Sequence, residues 1–102
     1  MSALLLITGT IQLPAEKLPE ARAAMAEMIR ASRAEPGCLH YSYAQDILVP
    51  DIIHVTEKWA SADALAVHFA SDHIVQWRRT WADLGISDRD LTLYEISSHR
   101  PT

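Results

Sequence analysis

A histidine stands in the apolar stripe of a predicted helix, where a titratable ring is unusual. Leu65, His68 and Phe69 follow the spacing i, i+3, i+4, so the three side chains share one face of that helix. A histidine can take a proton from a phenol or an acidic carbon near neutral pH. The same ring could instead be a core residue held by one hydrogen bond. The sequence leaves both interpretations of His68 open.

A carboxylate and an indole lie on the predicted strand that should meet this helix. Glu57 and Trp59 share one strand face with Val55, because alternate residues of a strand point the same way. We expect Glu57 to orient the His68 ring and Trp59 to form a wall of a pocket beside it. A charge on Glu57 would need a partner if it were buried. His68, Glu57 and Trp59 are therefore the candidate catalytic residues.

Metal and nucleotide chemistry find little support in the sequence. His73 follows His68 by five positions, which on one continuous helix puts the rings on different faces, unlike the i, i+3 or i, i+4 pairs of metal sites. Gly9, Gly37 and Gly85 are scattered and form no phosphate-binding loop. We therefore expect no metal and no cofactor.

Composition and charge limit the class of protein. The 102 residues are 49% hydrophobic and 22% charged, which is typical of one globular domain spanning residues 1–102. The net charge of −4, without a run of Lys or Arg, argues against binding to nucleic acid. The apolar run at residues 4–7 is too short for a membrane span. A single cysteine, Cys38, suits a reducing cytoplasm, which is the predicted location.

Hydrophobic periodicity predicts four strands and two helical regions. The predicted strands are residues 4–13, 38–47, 52–59 and 90–97. The first helical region is residues 15–35, and the second consists of a helix at residues 62–70 and a further helical piece from 72 to Gly85. Ser61 is the predicted N-cap of the second region. The order βαββαβ predicts an α+β, ferredoxin-like fold, in which both helical regions cover one face of a four-stranded antiparallel sheet.

The other face of the predicted sheet is also apolar. Strand 1 opens with four consecutive apolar residues, 4–7, and strand 3 opens with Ile52 and Ile53, whereas a half-exposed strand should alternate. Since the helices are already used on the first face, the simplest cover for the second is another copy of the chain. We therefore expect a homodimer. Ordinary surface apolarity is the alternative.

Two stretches of the chain resemble a known family. "EPGCLHYSYAQD", residues 35–46, and "HVTEKWASADALAVHFASDH", residues 54–73, are similar to the antibiotic biosynthesis monooxygenase (ABM) family. The shared pattern joins Glu35-Pro36-Gly37-Cys38 to a Tyr-bearing strand, then Glu57-x-Trp59, then His68 and Ser71-x-His73. The resemblance covers nearly the whole chain and is weakest in strand 4.

The resemblance implies a dimeric α+β barrel built from two ferredoxin-like subunits. Relatives include monooxygenases that oxidise aromatic quinols or polyketides with O2 and without metal or flavin, haem-degrading proteins, and an isomerase of a small phosphorylated compound. Haem-degrading relatives carry an Asn on strand 1, a Trp on helix 2 and an axial His. Here strand 1 has no Asn, His68 stands at the Trp position and Arg78 stands near the His position, so haem degradation is disfavoured.

The match to quinol-oxidising relatives is partial. Trp59 matches a Trp that the family motif places at the cavity, Arg79 is matched to an Arg of that cavity, and Val55 stands where some relatives have Asn. The residues assigned to substrate binding are Tyr43, Phe69, His73 and Arg79. The predicted function is a cofactor-independent monooxygenase that acts with O2 on a small aromatic or quinol-like substrate. The alternatives are a small-molecule isomerase with a His proton shuttle and a non-catalytic, ligand-binding dimer.

Overall fold

The computed structural model describes residues 3–102. Its strands are β1 (Leu4–Gln12), β2 (Cys38–Gln45), β3 (Ile52–Trp59) and β4 (Ser87–Ile96), and its helices are α1 (Leu18–Arg33), α2 (Ala62–Phe69), α3 (Asp72–Arg79) and α4 (Trp81–Leu84). Met1 and Ser2, which belong to the single domain predicted over residues 1–102, lie outside the described residues. Within residues 3–102, no helix is long and apolar enough to cross a membrane.

The four strands form one antiparallel sheet in the order β2-β3-β1-β4. Together with the chain order βαββαβ, this order confirms the predicted α+β, ferredoxin-like fold. Helix α1 carries the chain from β1 past one strand position to β2, and β3 then fills the gap, whereas the second helical region carries the chain from β3 across β1 to β4. Strand β3 therefore lies between β1 and β2, and its Glu57 pairs with both Ile7 and Tyr41.

One face of the sheet packs against the helices. Along β3, Ile53, Val55, Glu57 and Trp59 are buried and alternate with more exposed residues, as the period of two predicts. Helix α1 adds a stripe of buried residues, Ala21, Met25, Met28 and Ser32. The helical regions also bury Leu65, His68, Ile74 and Trp77. Glu57 and His68 therefore lie inside the main core of the domain.

The opposite face of the sheet carries the apolar patch that the sequence indicated. Leu4 pairs with Ile96 and Leu6 pairs with Tyr94, and these four side chains are intermediate or exposed. Tyr94 is 48% exposed. In the described chain, no helix covers this patch, since the helices pack on the other face.

The helical regions differ in detail from the predicted ones. Pro14 precedes a single 3₁₀ turn, Ala15–Lys17, and the α-helix begins only at Leu18. The last helical piece divides at Thr80 into α3 and α4, and Gly85, at φ 72°, ends α4 in the left-handed conformation. Strand β4 begins at Ser87, earlier than predicted, because a β-bulge opposite residues Thr10 to Gln12 extends its pairing with β1.

Candidate functional site

A small cavity lies between the sheet and helices α2 to α4. Its free volume is about 20 Å³, which is room for about one water molecule. The cavity is lined by Ile11, Tyr41, Tyr43, Glu57, His68, Phe69, Ile74, Trp77, Arg78, Trp81, Arg89 and Leu91. Apolar and aromatic walls with a few convergent polar groups are typical of small-molecule sites.

Helix α2 carries His68 to the bottom of this cavity. The side chain of Ser61 caps α2 by accepting a hydrogen bond from the Ala64 amide at 3.1 Å. The residue His68 is 1% exposed, and its ring packs against two aromatic rings, with centroids 4.5 Å from Trp59 and 5.2 Å from Tyr41. This packing leaves the ring little rotational freedom, so its two nitrogens have fixed partners.

Glu35, and not Glu57, orients the His68 ring. Nδ1 of His68 lies 2.6 Å from Oε2 of Glu35, a hydrogen-bond distance. Nε2 lies 3.9 Å from Oε1 of Glu57, which is too long for a direct hydrogen bond. An ionised carboxylate only accepts hydrogen bonds, so Nδ1 carries the hydrogen and a neutral His68 has its lone pair on Nε2. The expectation that Glu57 orients the ring was wrong because the turn after α1 brings Glu35 closer.

Glu57 is a buried carboxylate held by an indole. The residue is 4% exposed, and Nε1 of Trp59 donates a hydrogen bond of 3.0 Å to its Oε1. Burial raises the pKa of Glu57 above its ordinary value of 4.5, although the Trp59 hydrogen bond and the nearby His68 partly oppose that shift. Arg89 and Arg78 oppose it further through their charges. Ionisation of Glu57 is thus less favourable in the cavity than in solvent.

The substitution Glu57→Gln is expected to remove a pH-dependent loss of stability. Because the folded protein holds the Glu57 proton more tightly than the unfolded chain, its contribution is fully present below the unfolded pKa, near 4.5, and is lost as the pH rises through the higher folded pKa. Urea unfolding of both proteins between about pH 4 and pH 8 measures this. The wild type should lose stability relative to the variant as the pH rises. A difference that does not change with pH would contradict the prediction.

The other candidate residues divide into two groups. Tyr43 and Phe69 line the cavity, as the substrate-binding prediction requires. Trp59 is not a wall, because its fully buried ring lies behind His68 and supports both His68 and Glu57. His73 borders a separate surface pocket and contacts Glu35. Arg79 is exposed and lies outside the cavity lining.

Two arginines at the cavity were not among the predicted site residues. Helix α3 buries Ile74 and Trp77, and this helical phase turns Arg78 rather than Arg79 towards the cavity. The guanidinium of Arg78 lies 5.8 Å from the centroid of the Phe69 ring, a cation–π distance. Arg89 lies within the bulge at the start of β4 and lines the cavity from there. The spacing Ile74, Trp77, Arg78 could have identified the first arginine, whereas no local signal marks Arg89.

The two tyrosines of β2 are donors and not bases. Burial raises the pKa of Tyr41 and of Tyr43 above the ordinary value of 10, and the nearby charge of Glu57 adds to both shifts. Their hydroxyl groups therefore stay protonated at neutral pH. The rings of Tyr41 and Tyr43 stack at a centroid distance of 5.9 Å. Among the polar groups that line the cavity, His68 is the one whose unbonded ring nitrogen, Nε2, has a lone pair to offer.

Most of the chain matches one protein family. The model of the family described as antibiotic biosynthesis monooxygenase matches residues 5–80. An uncharacterized protein of Synechocystis is 27% identical over 93 residues, which are 91% of this chain and 63% of that protein. The chain thus spans less than two thirds of that relative's length.

The solved structures that resemble this chain include two that cover nearly all of it. A candidate antibiotic biosynthesis monooxygenase from Deinococcus radiodurans is 26% identical, with a TM-score of 0.87 over 96% of this chain and 97% of that one. A second candidate of the same description, from Nitrosomonas europaea, is 18% identical, with a TM-score of 0.83 over 95% of this chain and 93% of that one. The second likeness supports the fold alone.

Proposed function

Because the chain belongs to the antibiotic biosynthesis monooxygenase family, we propose that it oxidises a small aromatic or quinol-like substrate with O2 and needs neither metal nor flavin. The observation that carries the proposal is the orientation of the His68 ring at the cavity. Its Nδ1 is bound to Glu35, and its Nε2 faces Glu57 at 3.9 Å, where both residues line the cavity. That arrangement supports His68 as the base that deprotonates the substrate.

The proposed reaction balances without a further reductant. A phenol with an unsubstituted para carbon and one O2 give a para-quinone and one water. His68 takes the hydroxyl proton, and the phenolate passes one electron to O2. The two radicals then combine as a peroxide at the para carbon, which His68 protonates. Loss of the para hydrogen as a proton breaks the O–O bond, and the hydroxide released takes that proton to become water. The protein has to bind, deprotonate and shield the substrate.

The lining of the cavity supports an oxygen-bearing aromatic substrate. Tyr43 offers a protonated hydroxyl, and Arg78 and Arg89 offer positive charge to a phenolate. A free volume of about 20 Å³ is smaller than an aromatic ring requires, so the cavity must widen on binding. Phe69 is 42% exposed, and the two arginines are exposed as well. The proposed route for the substrate into the cavity is opened by movement of these three side chains.

We further propose that the chain forms a homodimer through the open face of the sheet. The apolar patch of Leu4, Leu6, Tyr94 and Ile96 supports this, because a second copy would remove it from water. Light scattering at micromolar concentration tests the assembly. A cytoplasmic location also stays a prediction.

Oxygen uptake with a panel of phenols that have an unsubstituted para carbon tests the proposed function directly. We expect consumption of one O2 per quinone formed, without added metal, flavin or nicotinamide. Mass spectrometry after reaction under ¹⁸O2 should find one labelled oxygen atom in the product. Product formation without O2 consumption would favour an isomerase instead, and ligand binding without any product would favour a binding protein. Either result would contradict the proposal.

A further inference from the structure

One carboxylate oxygen joins two histidines that are distant in sequence from it. Oε2 of Glu35 lies 2.6 Å from Nδ1 of His68 and 3.0 Å from Nε2 of His73. The three side chains are 10%, 2% and 23% exposed, respectively. The break between α2 and α3 makes this possible, because it turns His73 back towards Glu35 although the two histidines are five residues apart. The His68 end of this cluster is thus buried, and the His73 end is partly open to solvent.

The contacts have the character of hydrogen bonds to a shared acceptor. Distances of 2.6 and 3.0 Å are ordinary for charge-assisted bonds between an imidazole N–H and a carboxylate. Ser71 is held in place by its own bond to the His68 carbonyl, at 2.6 Å, and its hydroxyl oxygen lies 3.2 Å from Nε2 of His73. The second oxygen of Glu35, Oε1, is buried and has no hydrogen-bond partner within the described chain. Within the described chain, the side-chain hydrogen bonds of this carboxylate are thus all made by Oε2.

We propose that Glu35 and His73 are positioning residues for His68, an inference that rests on the proposed function. Glu35 fixes the His68 tautomer with hydrogen on Nδ1, so the lone pair of Nε2 is available on the cavity side. When His68 takes a proton, the positive charge of the ring forms beside the Glu35 carboxylate, which stabilises it. His73 donates to the same oxygen and thereby holds Glu35 in line with His68. Two residues outside the cavity, Glu35 and His73, thus fix the tautomer and the orientation of the His68 ring.

Kinetics of Glu35→Gln test this inference in the full chain. Glutamine keeps the size of the side chain and removes its charge. We expect kcat to fall about 10–100-fold, less than the full worth of a positioned base, with KM little changed, because Glu35 does not line the cavity. Glu35→Asp should restore part of the lost kcat, since it restores the charge. His73→Gln should lower kcat less than Glu35→Gln does.

A matched control is available elsewhere in the chain. Asp46 and His54 form a similar pair, with Oδ2 and Nε2 2.7 Å apart, and neither residue lines the cavity. Asp46→Asn removes the charge of that pair and should leave kcat unchanged. Equal losses in Asp46→Asn and Glu35→Gln would mean that kcat reports general loss of structure, and would overturn the inference.

Nitrogen-15 NMR of the histidine rings gives a readout that does not depend on turnover. In the wild type we expect Nδ1 of His68 to be protonated and Nε2 to be bare, and in Glu35→Leu, which offers no acceptor for the Nδ1 hydrogen, we expect that preference to be lost. The same tautomer in both proteins would overturn the inference, and the proposed function could still hold. If no phenol is oxidised but the tautomer changes as expected, only the proposed function fails.

A titration with Zn²⁺ tests the competing use of the same three residues. Their ligand atoms lie within 4.8 Å of one another, so they could also bind a metal ion. We expect no tight one-to-one complex. A complex that Glu35→Gln and His73→Gln both abolish would mean that the three residues form a metal site, and would overturn the positioning role.

Discussion

Replacement of His68 by glutamine is expected to lower turnover by about 10²–10⁴-fold, the usual worth of a positioned acid or base, while the protein stays folded. Glutamine can still donate a hydrogen bond from its amide to Glu35, which replaces the contact now made by Nδ1 at 2.6 Å. It offers no lone-pair nitrogen to the cavity, so the substrate loses its base. Steady-state oxygen uptake measures the loss, and thermal unfolding measures whether the fold is kept.

A purely structural His68 would give the opposite pattern. In that case His68→Gln should lower the free energy of unfolding by about 1–3 kcal/mol, through a strained or unpaired hydrogen bond, and leave ligand affinity nearly intact. His54→Gln is the matched control, because the side chain of His54 is 50% exposed and lies away from the cavity. Turnover in His68→Gln that equals the turnover of His54→Gln would contradict a catalytic role.

The substitution Gly9→Ala is expected to lower the free energy of unfolding by about 3 kcal/mol or more, from backbone strain and overpacking together. Gly9 has φ 156°, and a Cβ atom there would lie 1.9 Å from the carbonyl oxygen of Asp90 and 2.8 Å from Cα of Leu91. Both neighbours are backbone atoms of β4, so β1 and β4 would have to separate. Urea unfolding measures the loss.

Gly85→Ala is the matched control for this prediction. Gly85 also has a positive φ, 72°, but its Cβ would meet only side-chain atoms of Pro14, at 3.3 Å or more, and no backbone atom. We expect a loss of about 1 kcal/mol, the cost of the left-handed conformation for alanine. Equal losses for the two variants would mean that the close approach of β1 and β4 costs nothing beyond the backbone conformation. The reason given for Gly9 would then be wrong.

The fold could be predicted because its signals are local. Alternation in β3, the 3.6-residue stripe of α1 and the punctuation by Pro36, Gly37 and Gly85 fix the order of the elements. The early start of β4 could not be predicted in this way. Residues 87–89 are polar, and their pairing with β1 depends on a bulge and on Asp88 at φ 51°.

The site could be predicted only in part. His68 was identifiable because a titratable ring interrupts an apolar stripe, and Glu57 because it shares a face with buried neighbours. Glu35 lies in the turn after α1, 33 residues before His68. In the sequence alone it is part of the Glu-Pro-Gly stretch that ends the helix. Only the tertiary fold brings its carboxylate to Nδ1 of His68. The same limit applies to Arg89, which reaches the cavity from a distant strand.

Stopped-flow mixing of the protein with a phenol that has an unsubstituted para carbon, in the absence of O2, tests the central claim most directly. Without O2 the reaction should stop after proton transfer, so the ultraviolet band of the phenolate should grow in the wild type at a pH where the free phenol is neutral. It should be missing in His68→Gln and unchanged in His54→Gln. Admission of O2 should then convert the band into that of the quinone. A phenolate band of equal size in His68→Gln would contradict the account, because the proton would then be leaving by another route.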